Sequence, residues 1–379
     1  MALLYMDSAH NHTNLQESRQ MFDASGWSSN GNLIRQGPFP RNAGKLKAFG
    51  SRPGSASIRS LKQASTADIA IYALIQFTPY WAPTKNINTQ TATAKPFILL
   101  SDGSKAGNEA VAARENIALV NMSYSVAYIG VNYWWSNSST YNVRSNNNSE
   151  WADGEWHVLQ VRYKADDSTG ICQMYLDDEL IIDVTGADTI LGTSPPSWSG
   201  MTHITIGTQG ACETRYGTLV VYDSATSPTG CLTTSDFPLG IAAVQRLRTN
   251  AAGTYSQFDP GNLTNNWQAH QGLTRTIYSP TVKTTTADSI DTYGFANLDG
   301  SPTPIALQVS AYCEASGNNA AYVKGVARSV STDGVSSSVL VVGPQKRYEM
   351  EIPYDPNTTT DWTASGINAA EFGVKYTTS

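Results

Sequence analysis

Apolar residues along this chain recur at every second position, and no stretch of about twelve residues holds the period of an amphipathic helix. A chain patterned this way folds into sheets. From Asp68 onward, Ile69, Ile71, Ala73, Ile75 and Phe77 share one face while Ala70, Tyr72, Leu74 and Gln76 share the other, so a strand covered on both sides is expected, closed by Thr78-Pro79. Shorter strands follow over 97–100, 117–120 and 124–135, the last with Ala127, Ile129, Val131 and Tyr133 on one face. The clearest hairpin joins 158–163, with Leu159, Val161 and Tyr163 on one face, to 172–176, with Cys172, Met174 and Leu176 on one face, across an Asp166-Asp167-Ser168-Thr169-Gly170 turn. A second turn, Asp177-Asp178-Glu179, leads into Leu180-Ile181-Ile182, and strands over 203–206 and 218–222 complete the first half.

Residues 223–240 lose this alternation and collect Ser, Thr and Gly with Pro228 and Pro238. A domain boundary is expected there, with residues 1–232 as one unit, 233–240 as a linker and 241–379 as the other. The second unit reads as strands over 243–247, 293–295, 305–311, 322–330, 339–342, 348–352 and 372–376, with one short helical stretch at 361–370 that Asp361 could cap. The fold class expected is all-β, one sandwich after another.

Composition narrows the function classes. Of the 379 residues 15% are charged and 40% hydrophobic, with a net charge of -6. A core can form, and an acidic chain without a block of Lys or Arg lacks the footprint of a nucleic-acid binder. No apolar run approaches the ~20 residues that span a bilayer, so no membrane insertion is expected. The opening Met1-Ala2-Leu3-Leu4-Tyr5-Met6-Asp7 lacks a basic region before its apolar run, so no secretory signal is read and folding in a cytoplasm is expected. Cys172, Cys212, Cys231 and Cys313 lie far apart and read as reduced, buried thiols; a Cys212–Cys231 bridge would need an oxidising compartment.

Local signatures of catalysis are missing: no G-x-S-x-G elbow, no H-E-x-x-H and no phosphate-cradling glycine loop occurs. Glu150, Asp153 and Glu155 stand before a strand in a turn and read as solvated rather than catalytic. His157 reads as a structural partner of Trp156; His10 and His12 could share one face of a strand and touch a metal, or lie in a polar loop. No cofactor is expected. Calcium is the candidate ion, since it takes roughly six to eight oxygens from flexible loops, and Asp177, Asp178 and Glu179, or Asp166 and Asp167, could supply some of them; solvated turn acids are the ordinary alternative. For a ligand, Tyr133-Trp134-Trp135 followed by Ser136-Asn137-Ser138-Ser139-Thr140-Tyr141 places rings beside amides and hydroxyls, the pairing used against sugars. Strand alternation sends Trp134 and Trp135 to opposite faces, so one of them is exposed or covered by another chain.

The run Asp153-Gly154-Glu155-Trp156-His157-Val158-Leu159-Gln160-Val161-Arg162-Tyr163, then Gly170-Ile171-Cys172-Gln173-Met174-Tyr175-Leu176-Asp177-Asp178-Glu179 and Ile204-Thr205-Ile206-Gly207, resembles the laminin-G-like branch of the concanavalin A-like jelly rolls. It departs where Asp178 replaces the usual turn Gly. The resemblance covers residues 1–232 and implies a two-sheet antiparallel sandwich of a kind that often binds glycans. The E-x-D-x-x-E strand of its glucanase branch, which sets two carboxylates on one face for retaining hydrolysis, does not occur here.

The second half resembles the C-terminal domain of bacteriophage tail and tail-fibre proteins. The matching residues are Ala242, Val244, Arg246 and Leu247, Gly253-Thr254-Tyr255-Ser256-Gln257-Phe258, Trp267, Asp291-Thr292-Tyr293-Gly294-Phe295-Ala296-Asn297-Leu298, Ile305-Ala306-Leu307-Gln308-Val309-Ser310-Ala311, Asp355-Pro356-Asn357-Thr358, Trp362-Thr363 and Ile367-Asn368-Ala369-Ala370-Glu371-Phe372-Gly373-Val374-Lys375. Leu3-Leu4-Tyr5-Met6-Asp7 also looks like the start of phage proteins that pair the two domains. The resemblance implies a virion protein of a tail, neck or head-surface appendage, or a capsid decoration protein. Its implied partners are other virion proteins and a host-surface glycan. Neutral polar β surfaces and edges poor in Lys favour self-association, with a trimer the form expected for a fibre. A carbohydrate-active enzyme or free lectin is the rival reading.

Overall fold

The computed structural model describes residues 3–8, 27–30, 49–51, 57–79, 95–101, 117–122, 129–135, 139–144, 156–187, 189, 201–208, 212–225, 232–240, 242, 244–270, 281–315, 321–341 and 346–378, several N-terminal strands by their backbone alone. The chain is all-β. Its first half contains β1 (Leu3–Ser8), β2 (Trp27–Asn30), β3 (Phe49–Ser51), β4 (Ser57–Thr66), β5 (Asp68–Pro79), β6 (Lys95–Ser101), β7 (Ile117–Met122), β8 (Ile129–Trp135), β9 (Ser139–Arg144), β10 (Trp156–Lys164), β11 (Gly170–Leu176), β12 (Glu179–Ala187), β13 (Met201–Thr208) and β14 (Cys212–Asp223).

These form two antiparallel sheets. One runs β1-β14-β5-β10-β11-β12 with β3 beside β14, and the other runs β2-β4-β13-β6-β7-β8-β9. The first and last strands of this half are neighbours, with Met6 opposite Val220, which closes the unit on itself. Alternation dictates the core: Ile69, Ile71, Ala73 and Ile75 of β5, Leu159, Val161 and Tyr163 of β10, Cys172 and Met174 of β11 and Leu219 and Val221 of β14 are all buried on one face of the first sheet. Gly170 lets β11 pass under Thr189, whose hydroxyl occupies the space a Cβ would need. Tyr163, near the end of β10, donates its hydroxyl to the Thr189 carbonyl.

The second half contains β15 (Thr249–Ser256), β16 (Ile290–Phe295), β17 (Gln308–Cys313), β18 (Ala321–Ser329), β19 (Thr332–Val335), β20 (Val339–Val341), β21 (Lys346–Glu351), α1 (Ala364–Ala369) and β22 (Glu371–Thr377). A six-stranded sheet, β15-β16-β22-β18-β19 with β20 also on β18, is faced by the β17–β21 ladder. The layers meet at Gly325, where an added Cβ would stand 3.0 Å from that of Met350. Ala327, Ile352, Trp362, Ile367, Ala370 and Phe372 form one core cluster, and Val323, Val341, Tyr348 and Met350 another. Trp362 donates its indole N–H to the Ile352 carbonyl at 3.1 Å, so its polar edge is satisfied inside.

Two local expectations are corrected. Residues 244–248 form no strand; the first strand is β15, whose side chains are mostly exposed, which is why it carries no apolar alternation. The helix is capped by Thr363, whose hydroxyl accepts from Gly366 N at 3.0 Å, and not by Asp361, which stands too far upstream.

Candidate functional site

The aromatic segment lies at a sheet edge. β8 and β9 form a hairpin with Tyr133 opposite Tyr141, Trp134 opposite Thr140 and Trp135 opposite Ser139. Among the described residues β9 is the last strand of the second sheet, so the hairpin has one neighbour, β7. The side chains of Tyr133, Trp134, Trp135 and Tyr141 lie outside what the structure describes, as do residues 136–138. The backbone register alone places these residues side by side on one terminal hairpin.

The acidic turn between β11 and β12 is built for folding. Asp177 and Asp178 both hold positive φ, 49° and 67°, the pattern a two-residue hairpin turn requires. Asp177 is anchored from both carboxylate oxygens: Val158 N donates to Oδ1 at 2.8 Å, and His157 Nδ1 lies 2.6 Å from Oδ2. His157 is thus a partner of Asp177, where the sequence suggested Trp156. Asp178 and Glu179 are exposed. Asp166 caps its own loop, accepting from Ser168 N and Thr169 N at 3.0 and 2.7 Å, and these donors hold its carboxyl well below the usual range. Among the described residues no three His, Cys, Asp or Glu side chains gather as a metal site. Glu150, Asp153, Glu155, His10, His12 and Cys231 lie outside the described residues. Burial pushes the Cys172 thiol up to about 12, so it stays protonated and inert in the fold.

The site that sequence reasoning missed is the seam between the halves. On the outward face of the first sheet, Ala70, Tyr72, Val158, Val220 and Tyr222 are buried under Leu232, with Phe237, Leu239, Ala242 and Val244 packed beside it, and Ala306 of the second half joins them. The segment read as a linker is therefore a strap seated on the sheet. Side chains of the sheet hydrogen-bond its backbone as a neighbouring strand would. Tyr72 donates its hydroxyl to Ala242 O at 2.5 Å and accepts from Ala242 N at 3.0 Å. Gln160, fully buried, accepts from Leu239 N at 2.7 Å and donates to Gly240 O at 3.3 Å.

At the strap's start Arg162 grips Asp68 with two bonds, of 3.2 and 2.9 Å, and Thr234 donates to the same carboxylate at 2.9 Å. Thr233 and Asp236 cap the short 3-10 turn reciprocally, and Phe237 meets Tyr175 edge-on at 5.5 Å. Leu232 N reaches across to Glu351 of β21 at 3.3 Å. Tyr222 is fully buried and Asp223 nearly so; burial, then the Asp236 carboxylate, raises the Tyr222 hydroxyl well above its ordinary value, and burial raises Asp223. The sequence held one signal for it: the second apolar face of β5, which needed a cover.

A polar network crosses the C-terminal sheet. Glu371 accepts from Thr254 N at 2.6 Å, Thr254 Oγ1 at 2.8 Å and Thr292 Oγ1 at 2.7 Å. Arg328 bonds Asp333 at 2.6 Å and lies 5.2 Å from the centre of the Tyr255 ring, whose hydroxyl donates to Asp333 at 2.6 Å. Every charge here has a partner in the network, and it ties β15 to β18, β19 and β22.

No family model matches the sequence. No curated protein matches it either. Solved structures with a similar course include the potassium-bound Emp46p carbohydrate recognition domain, at 8% identity over 57% of this chain and 98% of that one, with a TM-score of 0.30. A legume lectin-like domain from Entamoeba histolytica matches at 9% identity over 52% and 89%, TM-score 0.29. SCLam, a non-specific endo-beta-1,3(4)-glucanase from family GH16, matches at 10% identity over 58% and 90%, TM-score 0.36.

Proposed function

We propose that the chain is a non-enzymatic structural subunit of a bacteriophage particle, carried in a tail, neck or head-surface appendage, and that its N-terminal sandwich offers a surface to a host glycan or a neighbouring virion protein. The observation that carries this reading is the strap. An appendage that positions a binding surface must transmit force and orientation between its parts, and a strap held by Tyr72, Gln160 and Asp68 joins the two halves without a slack linker. The ordered resemblance of residues 240–379 to phage tail proteins supports the virion context. The paired Tyr133 and Tyr141, with Trp134 and Trp135 beside them on an edge hairpin, support a recognition surface there.

The test uses the full chain in two assays. Binding to host cells or a glycan array, lost in Trp134→Ala or Trp135→Ala with the fold intact, is the expected result. Binding that survives both substitutions would move recognition elsewhere on the chain. Particle association without any glycan or cell binding would favour the decoration role. Polysaccharide cleavage lost on changing Glu150, Asp153 or Glu155 would overturn the non-enzymatic reading.

A further inference from the structure

The C-terminal six-stranded sheet ends in an edge that lacks protection. β19 and β20 pair successively with the two halves of β18, Val335 opposite Val326 and Leu340 opposite Tyr322. Between them Ser336 keeps the rail continuous: its N–H donates to Gly325 O at 2.9 Å and its hydroxyl accepts from Gly325 N at 2.8 Å. The edge therefore runs over residues 332–341, about 33 Å at the rise of an extended strand. Among the described residues no strand pairs with its outer side. Pro356 sits against Gly334 on this edge.

Such edges are usually blunted by Lys, Pro or an inward charge. Residues 330–341 contain no Lys, Arg or Pro. Their one charge, Asp333, is neutralised within the chain by Arg328 at 2.6 Å. Yet Val330, Val335 and Leu340 are 78%, 52% and 43% exposed. The partners of Val335 and Leu340 on β18 stand four residues apart, so both side chains project from the same face of the sheet despite their odd spacing.

We propose that this edge is a self-association surface, filled by the same edge of a second copy running antiparallel about a twofold axis between Ser337 and Ser338. That register places Val335 of each copy opposite Leu340 of the other, on one face, and joins two six-stranded sheets into one. The edge is complementary to itself, which selects a second copy as the occupant: the twofold brings its exposed Val335 and Leu340 together, and its one charge is already paired within the chain. A chain of net charge -6 repels itself wherever carboxylates face outward, and this neutral edge is where two copies meet without that cost. The twofold replaces the threefold expected for a fibre, and the inference does not depend on the virion reading.

Sedimentation equilibrium of the full chain tests it. Wild type is expected at twice the 40.8 kDa chain mass. The Val335→Lys/Leu340→Lys variant, with an unchanged circular dichroism spectrum, is expected at the chain mass, its dissociation constant raised at least 100-fold. A wild-type chain that stays monomeric at 50 µM, one that sediments as a trimer, or a dimer that persists in the lysine variant overturns the proposal. A second variant decides the matter if the lysines prevent folding. Val335→Cys/Leu340→Cys should form covalent dimers on mild oxidation, and failure to cross-link also overturns it.

Discussion

Replacing Tyr72 by Phe removes one oxygen and leaves the ring, so any effect reports the strap and not the packing beneath it. Tyr72 is 1% exposed, and its hydroxyl both donates to Ala242 O at 2.5 Å and accepts from Ala242 N at 3.0 Å. Without it, two backbone groups lose their partner on a partly covered surface. At about 1–1.5 kcal/mol for each group left unpaired there, the loss is about 2–3 kcal/mol. It should fall on the seam before the core, because Leu159, Cys172 and Met174 face the other way and keep their contacts. Hydrogen exchange followed at single amides reads both quantities. The Ala242 amide is expected to exchange about 30- to 150-fold faster in Tyr72→Phe, while the β10 and β11 amides change little. Urea unfolding should show the same destabilisation in the first transition. A change below about 0.5 kcal/mol, with Ala242 protection intact, would refute the claim that the strap is held by side chains acting as a strand.

Three further outcomes follow from named contacts. Asp178→Gly relieves a φ of 67° and should stabilise the chain by up to about 1 kcal/mol, whereas Asp177→Gly should destabilise it by about 1–2 kcal/mol although its φ is also positive, because Val158 N and His157 lose their acceptor; equal effects in thermal melts would contradict this assignment. Burial raises the Glu371 carboxyl, but the Thr254 N–H, the Thr292 and Thr254 hydroxyls and Arg328 together bring it below its ordinary value, so its contribution is present above about pH 4.5 and is lost as pH falls through the lower folded value; the stability gap between wild type and Glu371→Gln, measured by denaturant titration, should shrink on acidification and contradict the network if it widens. Gly373→Ala would put a Cβ 1.8 Å from Asp291 O, forcing β22 off β16 at a cost above about 3 kcal/mol, while Gly300→Ala, in open space at φ 73°, should cost about 1 kcal/mol in the same unfolding assay.

Much of the fold was written in the period-two pattern, and what escaped it has a physical cause. Ile69 to Phe77 alternate so regularly that a strand covered on both sides follows directly, and β5 is buried on both faces as far as its side chains are described. The β10–β11 hairpin was equally legible, with Leu159, Val161, Tyr163, Cys172 and Met174 all in the core. β15 and β19 were not, because exposed edge strands need no apolar face and read as loops. The seating of the linker as a strap is not legible in the sequence, because Gln160 and Tyr72, which bond its backbone, and Asp68, which accepts from its Thr234, lie about 80 to 170 positions away. The acids of the β11–β12 turn read as possible calcium ligands for the same reason: spacing reveals a cluster of oxygens but not that Asp177 points back to Val158 and His157.

The proposed role would make this chain a building element of a phage particle whose two β halves move as one body. A density map of the intact particle, from which the chain can be traced, tests that most directly. Copies are expected on the exterior of the tail, neck or head, with both halves fitting together as a single rigid piece, the strap seated between them. Purified particles that lack the chain, or copies whose two domains take different relative positions, would contradict it.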